Sequence, residues 1–178
     1  KKEIFYRFLL PLILHANNLV LERRAIIEDA AQDFARTGRV ADAALSNVQE
    51  MAPIRRVRRR EAVASLEPDD PDLAAILEEM LYKLDVIPAG LALGQAAYES
   101  GYGTSRFAAE GKALFGQWTF GGEGLKPEQQ REALGDHRIA AFDWPFDSVR
   151  GYFINLMSHP AYDAFRTLRA DKRAAGEP

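Results

Sequence analysis

Hydrophobic residues recur every three to four positions over the first 36 residues, which is the spacing of an amphipathic helix. The positions that mark this face are Phe5, Phe8, Leu12, Ala16, Leu19, Ile26, Ala30 and Phe34. Pro11 predicts a kink in the first third, and Gly38 predicts the end of the helix. We expect a structural helix that packs against the rest of the chain, or alternatively a helix for oligomerisation or docking.

The same spacing predicts shorter helices farther along the chain, over 41–51, 73–84, 88–99, 105–110, 146–158 and 159–169. Asp70 is the expected N-cap and Pro71 the first position of the helix that contains 73–84, and Thr104 or Ser105 is the expected cap of the brief helix that ends at Glu110. Aromatic and β-branched residues predict short strands over 114–120 and 139–142, joined by a polar hairpin tip or long loop. The predicted fold class is α+β, mostly helical, with a small β-hairpin lobe beside the helix 88–99.

Composition and charge exclude several classes of function. With 23 basic and 26 acidic residues the net charge is −3, so nothing suggests nucleic acid as a partner. The absence of cysteine excludes disulfides, thiol nucleophiles and cysteine-bound zinc, and the three histidines lie far apart, so we expect no metal and no cofactor. We also expect no membrane span, because the most apolar stretch, 5–14, is short and contains Arg7 and Pro11.

Five arginines occupy six positions between Arg55 and Arg60. Such a run is usually solvated, exposed and mobile, although it can also attract an anionic surface such as wall polymers or lipid headgroups. We therefore divide the chain into an N-terminal helical extension with an arginine-rich linker, 1–68, and a second domain, 69–178.

The strongest candidate for chemistry is Glu99, which ends a mostly apolar helix and precedes the glycine-rich turn Ser100-Gly101-Tyr102-Gly103. Apolar and aromatic neighbours would favour the protonated carboxyl, as would the carboxyl end of the helix dipole. A protonated carboxyl can donate its proton to a glycosidic oxygen. From the residues alone, however, a surface glutamate is the more common interpretation.

The motifs around Glu99 resemble those of a known family. The segment YESGYGTS at 98–105, followed by LFGQW at 114–118, resembles the ESGWGTS and NLFGQW signature of the glucosaminidase domain, glycoside hydrolase family 73, and most of all its Bax-type branch. The resemblance implies a lysozyme-like fold, cleavage of peptidoglycan glycan strands at N-acetylglucosamine, and Glu99 as general acid. Two positions depart from the signature, because Tyr102 stands at its tryptophan and Ala113 at its asparagine.

The second catalytic group is less defined. We favour Glu132 because it precedes the second predicted strand, with Glu123, Glu128, Asp136 and Asp143 as the other carboxylates of that region. Alternatively, the acetamido group of the substrate acts as the nucleophile and no partner carboxylate is needed. The expected substrate-binding residues are Gln95, Tyr102, Trp118, Phe120 and Tyr152. The two aromatic residues of the strand and Tyr152 are also candidates for the core.

These observations predict a β-N-acetylglucosaminidase that acts on peptidoglycan in the periplasm or cell envelope. We expect its export signal to have been removed and its domain to continue beyond Pro178. One alternative is a lytic transglycosylase that uses the same glutamate. Another is a catalytically weak wall-binding or scaffold module, in which the N-terminal helix contacts an envelope protein or a second copy of the chain.

Overall fold

The structure is a computed structural model that describes residues 1–119, 124–125 and 138–177. It is mostly helical, as predicted. The helices are α1 (Lys2–Thr37), α2 (Asp42–Ile54), α3 (Arg60–Ala64), α4 (Leu73–Lys83), α5 (Ala89–Ser100), α6 (Arg106–Gly111), α7 (Pro145–Ser158) and α8 (Asp163–Ala174), with a short 3-10 helix at Pro160–Tyr162.

The described β-structure is a short antiparallel sheet of β1 (Trp118–Thr119), β2 (Gly124–Leu125) and β3 (Arg138–Ala140), in the order β1-β3-β2. Trp118 lies opposite Ile139, and Leu125 lies opposite the same residue from the other side. The predicted strands 114–120 and 139–142 were therefore too long. Leu114 and Phe115 are buried by packing outside the sheet, which explains their strand-like hydrophobicity.

The first helix, α1, carries apolar side chains on its exposed face as well as on its buried face. Phe5, Leu9 and Ile13 are buried, whereas Ile4 and Phe8 are exposed. It continues through Pro11 as one helix. By length and composition it could cross a membrane, contrary to our expectation of no such segment, although soluble core helices and signal sequences meet the same criterion. A docking role for α1 stays a prediction.

N-caps were predicted for the helices that the structure describes as α4 and α6. The Ser105 hydroxyl accepts a hydrogen bond from the Ala108 N–H at 3.2 Å and caps α6, as expected. The prediction for Asp70 was wrong, because α4 begins at Leu73. The Asp70 carboxylate instead accepts a bond from the Asp72 N–H at 2.9 Å and closes the turn before the helix.

The chain forms two compact units, each assembled from separate stretches. One contains Lys1–Ala16 and Ile87–Phe153, and the other contains Asn17–Val86 and Ile154–Pro178. Both motifs that carry the family resemblance, 98–105 and 114–118, belong to the first unit. The division of the chain at residue 68 stays a prediction.

In the second unit, arginine side chains satisfy the carbonyl groups at the end of α4, which has no glycine to terminate it. Arg24 donates to the carbonyls of Leu81 and Leu84 at 2.6 and 2.9 Å. Arg169 donates to the carbonyls of Lys83 and Asp85, both at 2.9 Å.

Asp85 supplies a buried negative charge to this arginine cluster. Its buried carboxylate accepts two hydrogen bonds from Arg173. Burial raises the pKa of Asp85, but the bonds from Arg173 and the Val86 N–H and the charge of Arg169 outweigh burial and hold that pKa below its usual range. Burial lowers the pKa of Arg169 to about 10, against the opposing effect of Asp85.

The arginine run contains residues in different environments. Arg55 is only 2% exposed, so the expectation that the whole run is exposed was wrong at this position. Arg56, Arg58, Arg59 and Arg60 are exposed, as expected.

Candidate active site

The end of α5 places Glu99 at a sharp reversal of the chain. Gly101, Tyr102 and Gly103 all have left-handed backbone conformations, with φ of 57°, 58° and 76°. The buried Ser100 hydroxyl donates to the Ala96 carbonyl at 2.5 Å and accepts from the Gly103 N–H at 2.8 Å. These bonds tie the turn to the helix. Sequence reasoning predicted the turn but missed the role of Ser100, a small hydroxyl placed where a helix ends.

The carboxylate of Glu99 lies directly against the backbone of Gly116 in the LFGQW segment. A Cβ atom on Gly116 would stand 2.8 Å from Glu99 Oε2, and the φ of this glycine is +58°. Both facts favour glycine at this position, since another residue would be strained at this φ and its Cβ would displace the carboxylate. The fold thus brings the two motifs into contact at the candidate general acid.

Glu99 is nevertheless exposed. The sequence predicted that aromatic neighbours would enclose it, and among the described side chains this enclosure is not found. Tyr98, the adjacent residue, is 86% exposed and does not form a wall. Glu99 is therefore open to solvent beside Gly116.

Gln95 lies one helical turn before Glu99 on the same face of α5. Its side-chain oxygen accepts a hydrogen bond from the Tyr152 hydroxyl at 2.8 Å. The Tyr152 ring stacks on Phe115, with centroids 4.0 Å apart and planes within 7°. Two predicted binding residues, Gln95 and Tyr152, thus come together beside the Glu99–Gly116 contact. Tyr152 is also buried, as the core interpretation anticipated.

Gln117 anchors the LFGQW segment to α7. Its side-chain nitrogen donates to the Ser148 carbonyl and its oxygen accepts from the Ser148 hydroxyl, both at 3.0 Å. The same hydroxyl accepts a bond from the Leu114 N–H at 3.1 Å. A Cβ on Gly151 would stand 2.9 Å from the Gln117 nitrogen, so a glycine on α7 makes room for this anchor. The sequence predicted none of these scaffold contacts.

Tyr102, the expected sugar platform, contacts the beginning of α1. Its ring meets those of Phe5 and Tyr6 edge-on at centroid distances of 6.0 and 6.1 Å. The Lys2 ammonium lies 4.7 Å from the centre of the ring. A sugar that stacks on this side of the ring must first displace Lys2.

Several predicted site residues lie outside the described residues. These are Phe120 and Glu132, with the other candidate carboxylates Glu123, Glu128 and Asp136. Trp118 is described only through its backbone in β1. Within the described part of the chain, no group of three or more histidine, aspartate or glutamate side chains could hold a metal ion.

Comparison with known proteins matches the part of the chain that contains Glu99. A family model described as Glucosaminidase, mannosyl-glycoprotein endo-beta-N-acetylglucosaminidase, matches residues 74–176. Protein bax of Escherichia coli strain K12 is 34% identical over 98 residues, which cover 55% of this chain and 34% of that protein. The chain thus spans about a third of the length of this relative. No solved structure matches significantly.

Proposed function

Because the chain belongs to the glucosaminidase family, we propose that it is a glycoside hydrolase that cleaves peptidoglycan glycan strands at N-acetylglucosamine, in the periplasm or cell envelope. The observation that carries this proposal is the contact between Glu99 and Gly116, which joins the two motifs of the family signature. The central helix followed by a short antiparallel sheet is in keeping with a lysozyme-like fold.

In the proposed reaction, Glu99 protonates the glycosidic oxygen as the bond to the leaving sugar breaks. Contact with the Gly116 backbone limits the positions that its carboxyl group can take. Since Glu99 is exposed, bound glycan must displace the water around its carboxyl group. Gln95, held by Tyr152, offers its amide N–H groups to the sugar on the same face of α5.

As this bond breaks, the sugar develops positive charge that a second group must stabilise before water adds to the anomeric carbon and completes the hydrolysis. We propose Glu132 for this role, with the substrate's own acetamido group as the alternative. The two alternatives predict different effects of changing Glu132, because only the first depends on the charge of this residue.

The test is Glu99→Gln, which removes the ionisable proton with little change in shape. General acid catalysis contributes typically 10²–10⁴-fold, so we expect turnover of purified sacculi to fall at least about 100-fold. Glu110→Gln, at an exposed carboxylate on α6, is the matched control and should leave turnover unchanged.

Mass spectrometry of the digested sacculi distinguishes the activities. New reducing N-acetylglucosamine ends support the proposal, whereas anhydro-muramic ends identify a lytic transglycosylase. Wild-type protein that binds sacculi but releases no fragments would be a wall-binding module. Turnover above about a tenth of wild type in Glu99→Gln would exclude Glu99 as the general acid.

A further inference from the structure

The segment that follows α2 forms an open depression of about 460 Å³ that is lined mainly by arginine. Its lining residues are Pro53, Arg56, Val57, Arg58, Arg59, Arg60 and Glu61. Four of its seven lining residues are arginine and one is glutamate, in a chain whose net charge is −3. Such a concentration of like charge raises the local positive potential and attracts anions.

Most of this charge is not neutralised within the protein. Arg58 pairs with Glu79 at 3.1 Å and donates to the Val57 carbonyl at 2.8 Å. Among the described residues, no carboxylate pairs with Arg56, Arg59 or Arg60. Their guanidinium groups remain available to a ligand.

Arg56 also occupies a backbone conformation that glycine usually takes. Its φ is 54°, at the position just after α2, where the Arg56 and Val57 N–H groups bond back to the carbonyls of Pro53 and Ala52. Helices commonly end in this way with glycine, because other residues are strained there. Lys83 holds the turn by donating to the Arg56 carbonyl at 2.9 Å. An arginine at this point is therefore strained, and the same residue lines the depression.

We propose that this arginine depression, defined by Arg56, Arg58, Arg59 and Arg60, binds a phosphate group. A phosphate carries more charge than a carboxylate and offers three acceptor oxygens, so it can bridge several guanidinium groups. Planar guanidinium groups match phosphate oxygens in paired hydrogen bonds. The site is separate from the proposed glycosidase chemistry and does not depend on it.

The first experiment measures binding of the full chain to two sources of phosphate at constant ionic strength. Tripolyphosphate is titrated by calorimetry as the soluble source. Vesicles of phosphatidylglycerol in phosphatidylcholine, compared with phosphatidylcholine alone, provide the anionic lipid headgroup by co-sedimentation. Saturable binding to either source supports the site and identifies that source, and absence of binding to both overturns the proposal.

The second experiment assigns the binding to these residues. Arg59→Gln combined with Arg60→Gln should weaken binding at least about tenfold, since each loses charge-assisted hydrogen bonds. Arg36→Gln combined with Arg39→Gln removes the same charge from exposed arginines elsewhere and should leave affinity nearly unchanged. Equal loss in both double variants would show an effect of net charge alone and overturn the site.

Arg56→Gly separates binding from folding, because glycine relieves the backbone strain as it removes the guanidinium group. We expect a higher melting temperature together with weaker phosphate binding. A structural arginine would give the opposite change in melting temperature. Unchanged affinity in this variant would overturn the assignment of Arg56 to the site.

Discussion

Replacing Gly116 by alanine should separate the stability of the fold from the placement of the general acid. An alanine at φ +58° costs about 1–2 kcal/mol of unfolding free energy, because L residues are strained in the left-handed region. Its Cβ would meet Glu99 Oε2 at 2.8 Å, but this atom ends a flexible side chain and moves away at little further cost in stability. If Glu99 is the general acid as proposed, its displaced carboxyl group would no longer be aligned with the glycosidic oxygen. A misplacement of 1 Å can lower turnover about 100-fold.

Urea unfolding and turnover of sacculi are measured on the same preparations. Gly38→Ala is the matched control, because Gly38 has a φ of +70° and no atom within 4 Å of an added Cβ. Both variants should lose about 1–2 kcal/mol of unfolding free energy, and only Gly116→Ala should lose turnover. Equal turnover in the two variants would refute the reasoning that Gly116 positions Glu99.

Three further changes test other parts of the structure. Asp85→Asn should lower the unfolding free energy by about 2–3 kcal/mol at neutral pH, less than for a wholly buried pair because Arg173 is half-exposed. Folding lowers the pKa of Asp85, so the difference in unfolding free energy between wild type and Asp85→Asn should be complete above about pH 4. It should vanish as pH falls through the folded-state pKa, and urea unfolding at several pH values measures this loss. Tyr152→Phe should keep the stack on Phe115 but raise KM as Gln95 loses its hydrogen bond, and an unchanged KM would dissociate Gln95 from binding. Glu132→Gln should lower kcat with little change in KM, and unchanged kinetics would favour the acetamido mechanism.

Most helices could be predicted from hydrophobic spacing, because each buries one stripe of side chains and the sequence shows that stripe directly. The errors have tertiary causes. Leu114 and Phe115 have the composition of a strand, yet they are buried by packing next to α7 rather than by pairing. Arg24 has the charge of a surface residue, but the free carbonyls at the end of α4 draw it inward. A sequence pattern records polarity and spacing, not the partner that will satisfy a polar group.

The candidate site likewise contains features that could be predicted from the sequence and features that could not. Glu99 and the turn after it were predictable because a glycine-rich helix end and a family motif coincide there. The Tyr152–Gln95 bond and the Gln117–Ser148 bonds were not, since each joins residues more than 30 positions apart through α7. Each of these side chains is also an ordinary core or surface residue by type. Only the folded structure shows that these side chains lie around the LFGQW segment.

The exposure of Glu99 follows from the backbone around it rather than from composition. Aromatic residues near Glu99 in sequence predicted an apolar enclosure, but the left-handed turn carries Tyr102 to contacts with Phe5 and Tyr6. Tyr98 precedes Glu99 on α5 and is almost fully exposed. Among the described residues, the carboxyl group of Glu99 lies beside the Gly116 backbone rather than within an aromatic enclosure. On the proposed mechanism, bound glycan would bring the apolar C–H faces of its sugar rings to Glu99 and displace the water around it, so the substrate itself would contribute to the surroundings of the acid.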